Sequence, residues 1–332
     1  MPNYEVHYLS VSDADAIIIR YENSGDQYVV LIDAGNVSDS DKIKNYIWNH
    51  WKTYTIDLAI CTHPDSDHKG GFFGLLNDRD VIINEFWLNT PEDVIKEDEY
   101  NRLYPKRNRL SHCRECYDHP TDTDSLNLID LAVSNKCNVY GVYGAYCGKI
   151  HSHIPISVVG PSLDFYHPLA IEILKNNKRR KDEDNTIYND IGYFSSVQAK
   201  SSIDDEPDDC SPTNAGSIIL LFEPITSCKF LLLGDANRAA ITDAISNNTN
   251  LSGSRIKVPH HGSKHNLTSV LIDKLAPCCA IISAKGSRKH PSRGIVHCLS
   301  NHCNVYSTHK SGTLIHTSYP ITTPAIPLKE KQ

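Results

Sequence analysis

The densest run of chemically capable side chains is Thr62-His63-Pro64-Asp65-Ser66-Asp67-His68-Lys69-Gly70-Gly71. Four potential metal ligands, His63, Asp65, Asp67 and His68, lie in this short stretch, directly after an apolar run at 56–61. In a tight loop, residues two apart can face one ion while the adjacent Asp67-His68 pair turns toward a second, so one loop can serve two metals. Gly70-Gly71 reads as a sharp exit turn. A chance polar loop is the bland alternative, but a metal-loop motif is convincing where a strand leads into it, and here one does. Three later apolar runs also end in candidate ligands: 230–233 runs into Gly234-Asp235, 256–258 into Pro259-His260-His261-Gly262-Ser263, and 279–283 leads on to His290-Pro291-Ser292. Singly, Asp235 would be an ordinary turn residue and His290 a surface histidine. Together they are better explained by convergence at strand ends, where ligands gather in layered α/β proteins.

The elements that must hold these residues are those of an ordinary globular chain. Of 332 residues, 40% are hydrophobic and 22% charged, which excludes disordered, collagen-like and membrane-spanning classes. No apolar run approaches the roughly 20 residues of a membrane span. A net charge of -7 argues against coating duplex nucleic acid or an anionic membrane, so any polyanion has to be met by a local patch. The 17 His are the unusual count, since imidazole is the commonest material of metal and acid–base sites. The 11 Cys are scattered without a dense pattern and read as thiols rather than a disulfide framework. Residues 1–10 have no basic or apolar leader, so a cytoplasmic setting is expected.

Apolar runs at 16–19, 28–32, 56–61, 154–159, 217–222, 230–233, 256–258 and 279–283 have the Ile, Val and Leu content of buried strands. Helical stretches at 41–51, 126–134, 238–246 and 268–275 alternate with them, which predicts an α/β or layered αββα architecture. Without an internal repeat, residues 1–332 read as one domain, with charged surface insertions or lids near 92–123 and 175–212. The second runs from the basic Lys178-Arg179-Arg180-Lys181 to an acidic tract around Asp204-Asp205-Glu206-Pro207-Asp208-Asp209. Within the first, His112-Cys113-Arg114-Glu115-Cys116-Tyr117-Asp118-His119 could hold a structural zinc, but no second Cys-x-x-Cys accompanies it and an exposed polar loop is the simpler reading.

These residues resemble the metallo-β-lactamase superfamily, and within it the ComEC-type competence metallohydrolase domain and its stand-alone relatives. The resemblance takes in the opening strands at 6–32, Leu31-Ile32-Asp33-Ala34-Gly35, the His63 to His68 motif, Asn214 with Ser217, and Leu233-Gly234-Asp235. It continues through Val258-Pro259-His260-His261-Gly262-Ser263, His290-Pro291-Ser292, Tyr306-Ser307-Thr308 and Ser311-Gly312-Thr313. It implies a four-layered αββα metallo-β-lactamase sandwich binding two divalent metal ions. His63 and Asp65 would bind one ion, Asp67 and His68 the other, and Asp235 would bridge. His261 would complete the second site and leave His260 beside it as a catalytic or supporting group; the opposite assignment of the two histidines stays open. The chain departs from the lactamase-like branch in carrying Asp65 where that branch has a second His, and in lacking a further His before the bridging Asp; Asn214 stands there instead. Carboxylate in place of imidazole hardens the ligand set, so manganese competes with zinc. Ser12-Asp13-Ala14-Asp15 replaces the family's Gly-x-Gly-Asp.

Two cations about 3.5–4 Å apart lower the pKa of a bridging water from about 15.7 to about 7 and clamp the oxygens of an in-line displacement, which is hydrolysis without a protein nucleophile. Asp67 would orient the hydroxide, and His260 or His290 would protonate the leaving oxygen. Lys285, Arg288 and Lys289 beside His290, with Lys264, Asn214 and Ser217, are the candidate substrate contacts and suit a phosphodiester. The expected activity is therefore that of a phosphodiesterase or nuclease acting on nucleic acid or nucleotide phosphodiesters, with a homodimer considered and no membrane partner. The alternatives are a hydrolase of phosphorylcholine esters or thioesters, or a non-catalytic metal-binding sensor.

Overall fold

The computed structural model describes residues 2–142, 150–176, 200, 202–287 and 289–317. Among them the chain forms two sheets. The first contains β1 (Asn3–Tyr8), β2 (Ile17–Asn23), β3 (Asp26–Ile32), β4 (Thr55–Ile60), β5 (Ile82–Leu88) and β6 (Asn138–Gly141), with β13 (Leu314–Thr317) beside β1. The second contains β7 (Ile156–Gly160), β8 (Ile219–Ile225), β9 (Cys228–Leu232), β10 (Arg255–Lys257), β11 (Cys279–Ile282) and β12 (Asn304–Ser307), in the order β12-β11-β10-β9-β8-β7. Each sheet is antiparallel at one end and parallel at the other: β3 to β6 run parallel in the first, β9 to β12 in the second.

The apolar runs are continuous because these strands are covered on both faces. Side chains alternate along a strand, so Phe230 and Leu232 of β9 join the core between the sheets while Leu231 joins the core on the outer face. The inner core brings Ile18, Val30, Leu58 and Phe86 together with Leu220 and Phe222 of the other sheet. Helices α1 (Ser40–Trp51) and α2 (Ser66–Asn77) cover the first sheet with Ile43, Ile47, Phe72 and Leu75. Helices α3 (Arg238–Asn247), α4 (Ser269–Leu275) and α5 (Arg293–Ser300) cover the second with Ile241, Ile272, Ile295 and Leu299. Each such side chain, fully buried, contributes about 1.5–3 kcal/mol. The result is the helix–sheet–sheet–helix α/β sandwich expected from the sequence.

Three expectations change. The metal-loop motif is only partly loop: Asp65 is the extended residue before α2, and Ser66 to Gly71 lie in the helix. Gly70 and Gly71 therefore make no exit turn. A Cβ on Gly71 would sit 2.0 Å from the Ala34 carbonyl oxygen, and one on Gly70 2.5 Å from the Val37 nitrogen, so they let α2 press against the loop after β3. The 92–123 stretch is not all surface: Tyr100, Cys113 and Tyr117 are fully buried beneath its charged exterior, and the Lys69 ammonium donates to the Cys116 carbonyl at 2.7 Å. The acidic tract is tied down rather than free. Asp204 accepts from the Ser269 nitrogen at the start of α4, Asp208 from the Arg238 nitrogen at the start of α3, and Glu206 pairs with Lys264 at 2.7 Å. Carboxylates at helix N-termini meet unpaired N–H groups and the positive end of the dipole. Lys178 to Lys181 lie outside the described residues.

Candidate metal centre

The centre forms where the carboxyl end of β4 faces the carboxyl ends of β9, β10 and β11, the crevice position expected of parallel strands. A bond from the Ile218 nitrogen to the Thr62 carbonyl, 2.9 Å, joins the two sheets at that edge. On the β4 side, Asp33 organises the histidines. Its Oδ1 accepts from the Thr62 nitrogen at 2.8 Å, and its Oδ2 accepts from Thr62 Oγ1 at 2.7 Å and from His68 Nδ1 at 2.8 Å. With its hydrogen spent on Asp33, the Thr62 hydroxyl accepts from His63 Nδ1 at 3.2 Å. Both imidazoles thus carry hydrogen on Nδ1 and turn a bare Nε2 into the centre. Both Nε2 atoms are buried without a hydrogen-bond partner.

Carboxylates face those atoms. His68 Nε2 lies 3.4 Å from Asp235 Oδ2 and 3.7 Å from Asp67 Oδ2, and His63 Nε2 lies 3.8 Å from Asp65 Oδ2. From β10, His261 donates Nδ1–H to the Ser283 carbonyl at 2.9 Å, which leaves its Nε2 opposite Asp67 Oδ2 at 3.3 Å. Ligand atoms of His63, His68 and Asp235 fall within 4.8 Å of one another, as do those of Asp67, His68 and His261. Lone pairs facing lone pairs in a buried site require positive charge between them, as extra protons or as a cation. The pKa directions agree. Burial alone would lower His68, but Asp235, Asp33 and Asp67 raise it well above its ordinary value. Burial would raise Asp67 and Asp235, yet the surrounding histidines hold both carboxyls low. Burial beside His68 pushes His63 down. An orphaned Nε2 with its Nδ1 anchored by a carboxylate is the arrangement of a metal-binding histidine, and these His and Asp groups could hold divalent cations.

Residues 10–97 match the family model described as the metallo-beta-lactamase superfamily. Members of that superfamily are mostly metal-dependent hydrolases that bind divalent metals, often zinc. The match spans Asp15, Asp33 and the His63 to His68 motif; Asp235, His260 and His261 lie beyond it. No curated protein matches the chain.

His260 belongs to a neighbouring network built on Asp209, whose side chain the sequence reading passed over as part of a solvated acidic tract. Asp209 Oδ2 accepts from His260 Nδ1 at 3.0 Å, Asn214 Nδ2 at 2.8 Å and Asn266 Nδ2 at 3.3 Å. Burial would raise its carboxyl, but the His260 contact brings it down to about 2. Burial would lower His260, but Asp235 and Asp209 bring it up to about 9. His290 is buried, its ring 5.5 Å from that of His260, and burial beside His260 pushes it down to about 3. Lys257 is a second residue the sequence reading missed. Fully buried, it pairs with Asp15, lies 3.7 Å from Asp235 Oδ1 and donates to the Gly234 carbonyl at 3.1 Å. A lysine in a strand one residue before the Val-Pro-His-His run was the available signal, because strand alternation aims it at the centre.

The substrate candidates are more scattered. Ser217 Oγ accepts from the Asp235 nitrogen at 3.2 Å and so positions that carboxylate. Asn214 is held by Asp209. The Lys264 ammonium pairs with Glu206 rather than standing open. Lys285 and Lys289 are exposed next to buried His290, and Arg288 lies outside the described residues. The His112 to His119 segment is no exposed polar loop: His112 is buried, with Nδ1 2.7 Å from the Tyr100 hydroxyl and Nε2 3.1 Å from the Leu174 carbonyl. With both ring nitrogens engaged, His112 is not available to a structural zinc. No helix among the described residues is long and apolar enough to cross a membrane.

Proposed function

We propose that this chain is a dimetal-dependent phosphodiesterase or nuclease acting on nucleic acid or nucleotide phosphodiesters. The observation that carries the reading is the buried, unpartnered Nε2 of His63 and of His68 facing Asp235 and Asp67, with His261 Nε2 opposite Asp67. His63, Asp65 and Asp235 would hold one ion, Asp67, His68 and His261 the other, with Asp235 shared and zinc or manganese as the metal. Such ions, when bound, supply Lewis acidity and an acidified water at neutral pH.

The chain's own residues do the rest. Asp33 keeps the hydrogen of His68 on Nδ1 and, through Thr62, that of His63 also. Asp67, partly exposed at the first turn of α2, orients the attacking water. Asp209 holds Nδ1–H of His260, which leaves Nε2 to carry a proton for the leaving oxygen. His290, kept neutral by its surroundings, offers a hydrogen bond without adding charge. An anionic substrate is the class that two divalent ions, when bound, would attract. Exposed Lys285 and Lys289 support the same substrate class. The resemblance to ComEC-type metallohydrolases points the same way, and the whole chain is read as one domain. No disulfide joins the cysteines of the described residues, which supports a reducing, cytoplasmic setting.

The test is elemental analysis of the purified protein, followed by assay of bis(4-nitrophenyl) phosphate, oligonucleotides and thioesters with Mn²⁺ and with Zn²⁺. Two ions per chain and metal-dependent phosphodiester cleavage that disappears in Asp67→Ala and Asp235→Ala are expected. Persistent cleavage by a clean Asp235→Ala preparation, or a preference for thioesters, overturns the reading.

A further inference from the structure

A cavity of about 420 Å³ shares two loops with the candidate centre, and of its lining only Lys285 is a substrate contact expected from the sequence. Its wall includes Ser12, Lys42, Lys285, Thr308, His309 and Gly312. Two of its segments also build the centre. Ala284 follows Ser283, whose carbonyl holds His261, and Ser12 begins the short turn to Asp15, whose nitrogen donates to the Asp67 carbonyl at 3.2 Å. The volume lies in the range of small-ligand sites, and the lining is polar.

The charge in this cavity is directed. Lys285 is pinned at the rim by its backbone nitrogen, which donates to Asp13 Oδ1 at 2.6 Å, while its ammonium is exposed and has no partner among the described residues. Lys42, in the first turns of α1, reaches across to the Ser10 carbonyl and so brings a second ammonium to the same opening. The acidic residue of the wall, Asp39, is turned to the Asn36 nitrogen, from which it accepts at 2.9 Å. Two ammonium groups thus share the opening with one carboxylate, whose Oδ2 is tied to a backbone N–H. In a chain of net charge -7, this is the kind of local patch that handling a polyanion requires.

We infer that this cavity is a subsite for a phosphate neighbouring the scissile one, and that the substrate is therefore an oligonucleotide chain rather than an isolated diester. The inference rests on the phosphodiesterase reading. A single strand crossing the centre by one phosphodiester places its next phosphate between Lys42 and Lys285, where lysine acts as a point charge without base selectivity. The subsite sets preference for length and leaves sequence unread.

Binding of a fluorescein-labelled thymidine hexanucleotide, followed by anisotropy in EDTA across a salt series, tests the cavity without the reaction. For Lys42→Ala with Lys285→Ala, loss of one phosphate contact lowers the slope of log Kd against log salt by about 0.7 and weakens binding by roughly an order of magnitude. Lys285→Ala alone, at an exposed side chain, shows a smaller change in the same direction and guards against misfolding of the double variant. In the Mn²⁺-loaded protein, KM for the hexanucleotide rises more than KM for bis(4-nitrophenyl) phosphate, which has no neighbouring phosphate. An unchanged salt slope, or equal rises in both KM values, overturns the subsite. If the wild type cleaves neither substrate, the phosphodiesterase reading fails, and the salt slope still decides the cavity.

Discussion

Replacing Asp33 with Asn changes one atom of a group that touches no proposed substrate, and it should weaken the hold of the centre on metal. Asp33 Oδ1 would still accept from the Thr62 nitrogen. The new amide nitrogen, however, meets two donors, the Thr62 hydroxyl and His68 Nδ1–H, at positions now 2.7 and 2.8 Å from Oδ2. The hydroxyl can rotate and accept from the amide. The imidazole escapes only by moving its hydrogen from Nδ1 to Nε2, the atom that faces Asp235 and Asp67. The loss is one charge-assisted hydrogen bond, about 1.5–3 kcal/mol, or roughly 10- to 150-fold in metal affinity at about 1.4 kcal/mol per decade. That agrees with the roughly 10- to 100-fold cost of losing a partner behind a metal-binding histidine. Competition between the protein and a chromophoric chelator for Zn²⁺, at neutral pH, measures it, with circular dichroism to establish that Asp33→Asn folds. A folded variant that holds two ions as tightly as the wild type refutes the tautomer argument.

The two adjacent histidines should separate on substitution: His261→Ala loses about one ion per chain by elemental analysis, whereas His260→Ala keeps its metal and loses turnover, because its Nδ1 is committed to Asp209. Gly71→Ala drives a methyl into the Ala34 carbonyl and should lower stability in urea by about 1–3 kcal/mol or more. Burial, with Arg255 nearby, holds His316 at about 4 against an ordinary 6.5, so the fold keeps it neutral. Its contribution is complete above about pH 6.5 and is lost as pH falls toward 4; the urea midpoint should drop across that window, and His316→Phe should flatten the drop.

The strands and ligands were legible because each rests on local pattern. The run at 230–233 followed by Gly-Asp, and the run at 256–258 followed by Pro-His-His, announce both a buried strand and a polar residue at its end. What stayed hidden depends on register or on backbone partners. Asp33 reaches Thr62 because β3 and β4 pair in parallel with Ile32 opposite Ile60, a register that no single segment encodes. The orientation of His261 is set by a carbonyl on Ser283, and a carbonyl has no letter in the sequence. Asp209 was obscured by its neighbours, since a run of carboxylates ordinarily belongs to solvent. Gly70-Gly71 was read through backbone freedom, when the governing constraint was the space left between a helix and the loop it packs on.

The placement of β13 against β1 bears on how this protein is made. β1 pairs with β2 on one side and with β13 on the other, Glu5 opposite Thr317 and Tyr8 opposite Leu314. A chain still being synthesised therefore carries β1 as an open edge, with its N–H and C=O groups unmatched, until more than three hundred residues have followed it. His63 and His261 lie nearly two hundred residues apart, so neither half of the centre can hold an ion as the finished site would until both have been made. Contacts of such long range form slowly. For this chain, the vulnerable period is translation itself, when an unpaired first strand and an incomplete set of ligands coexist.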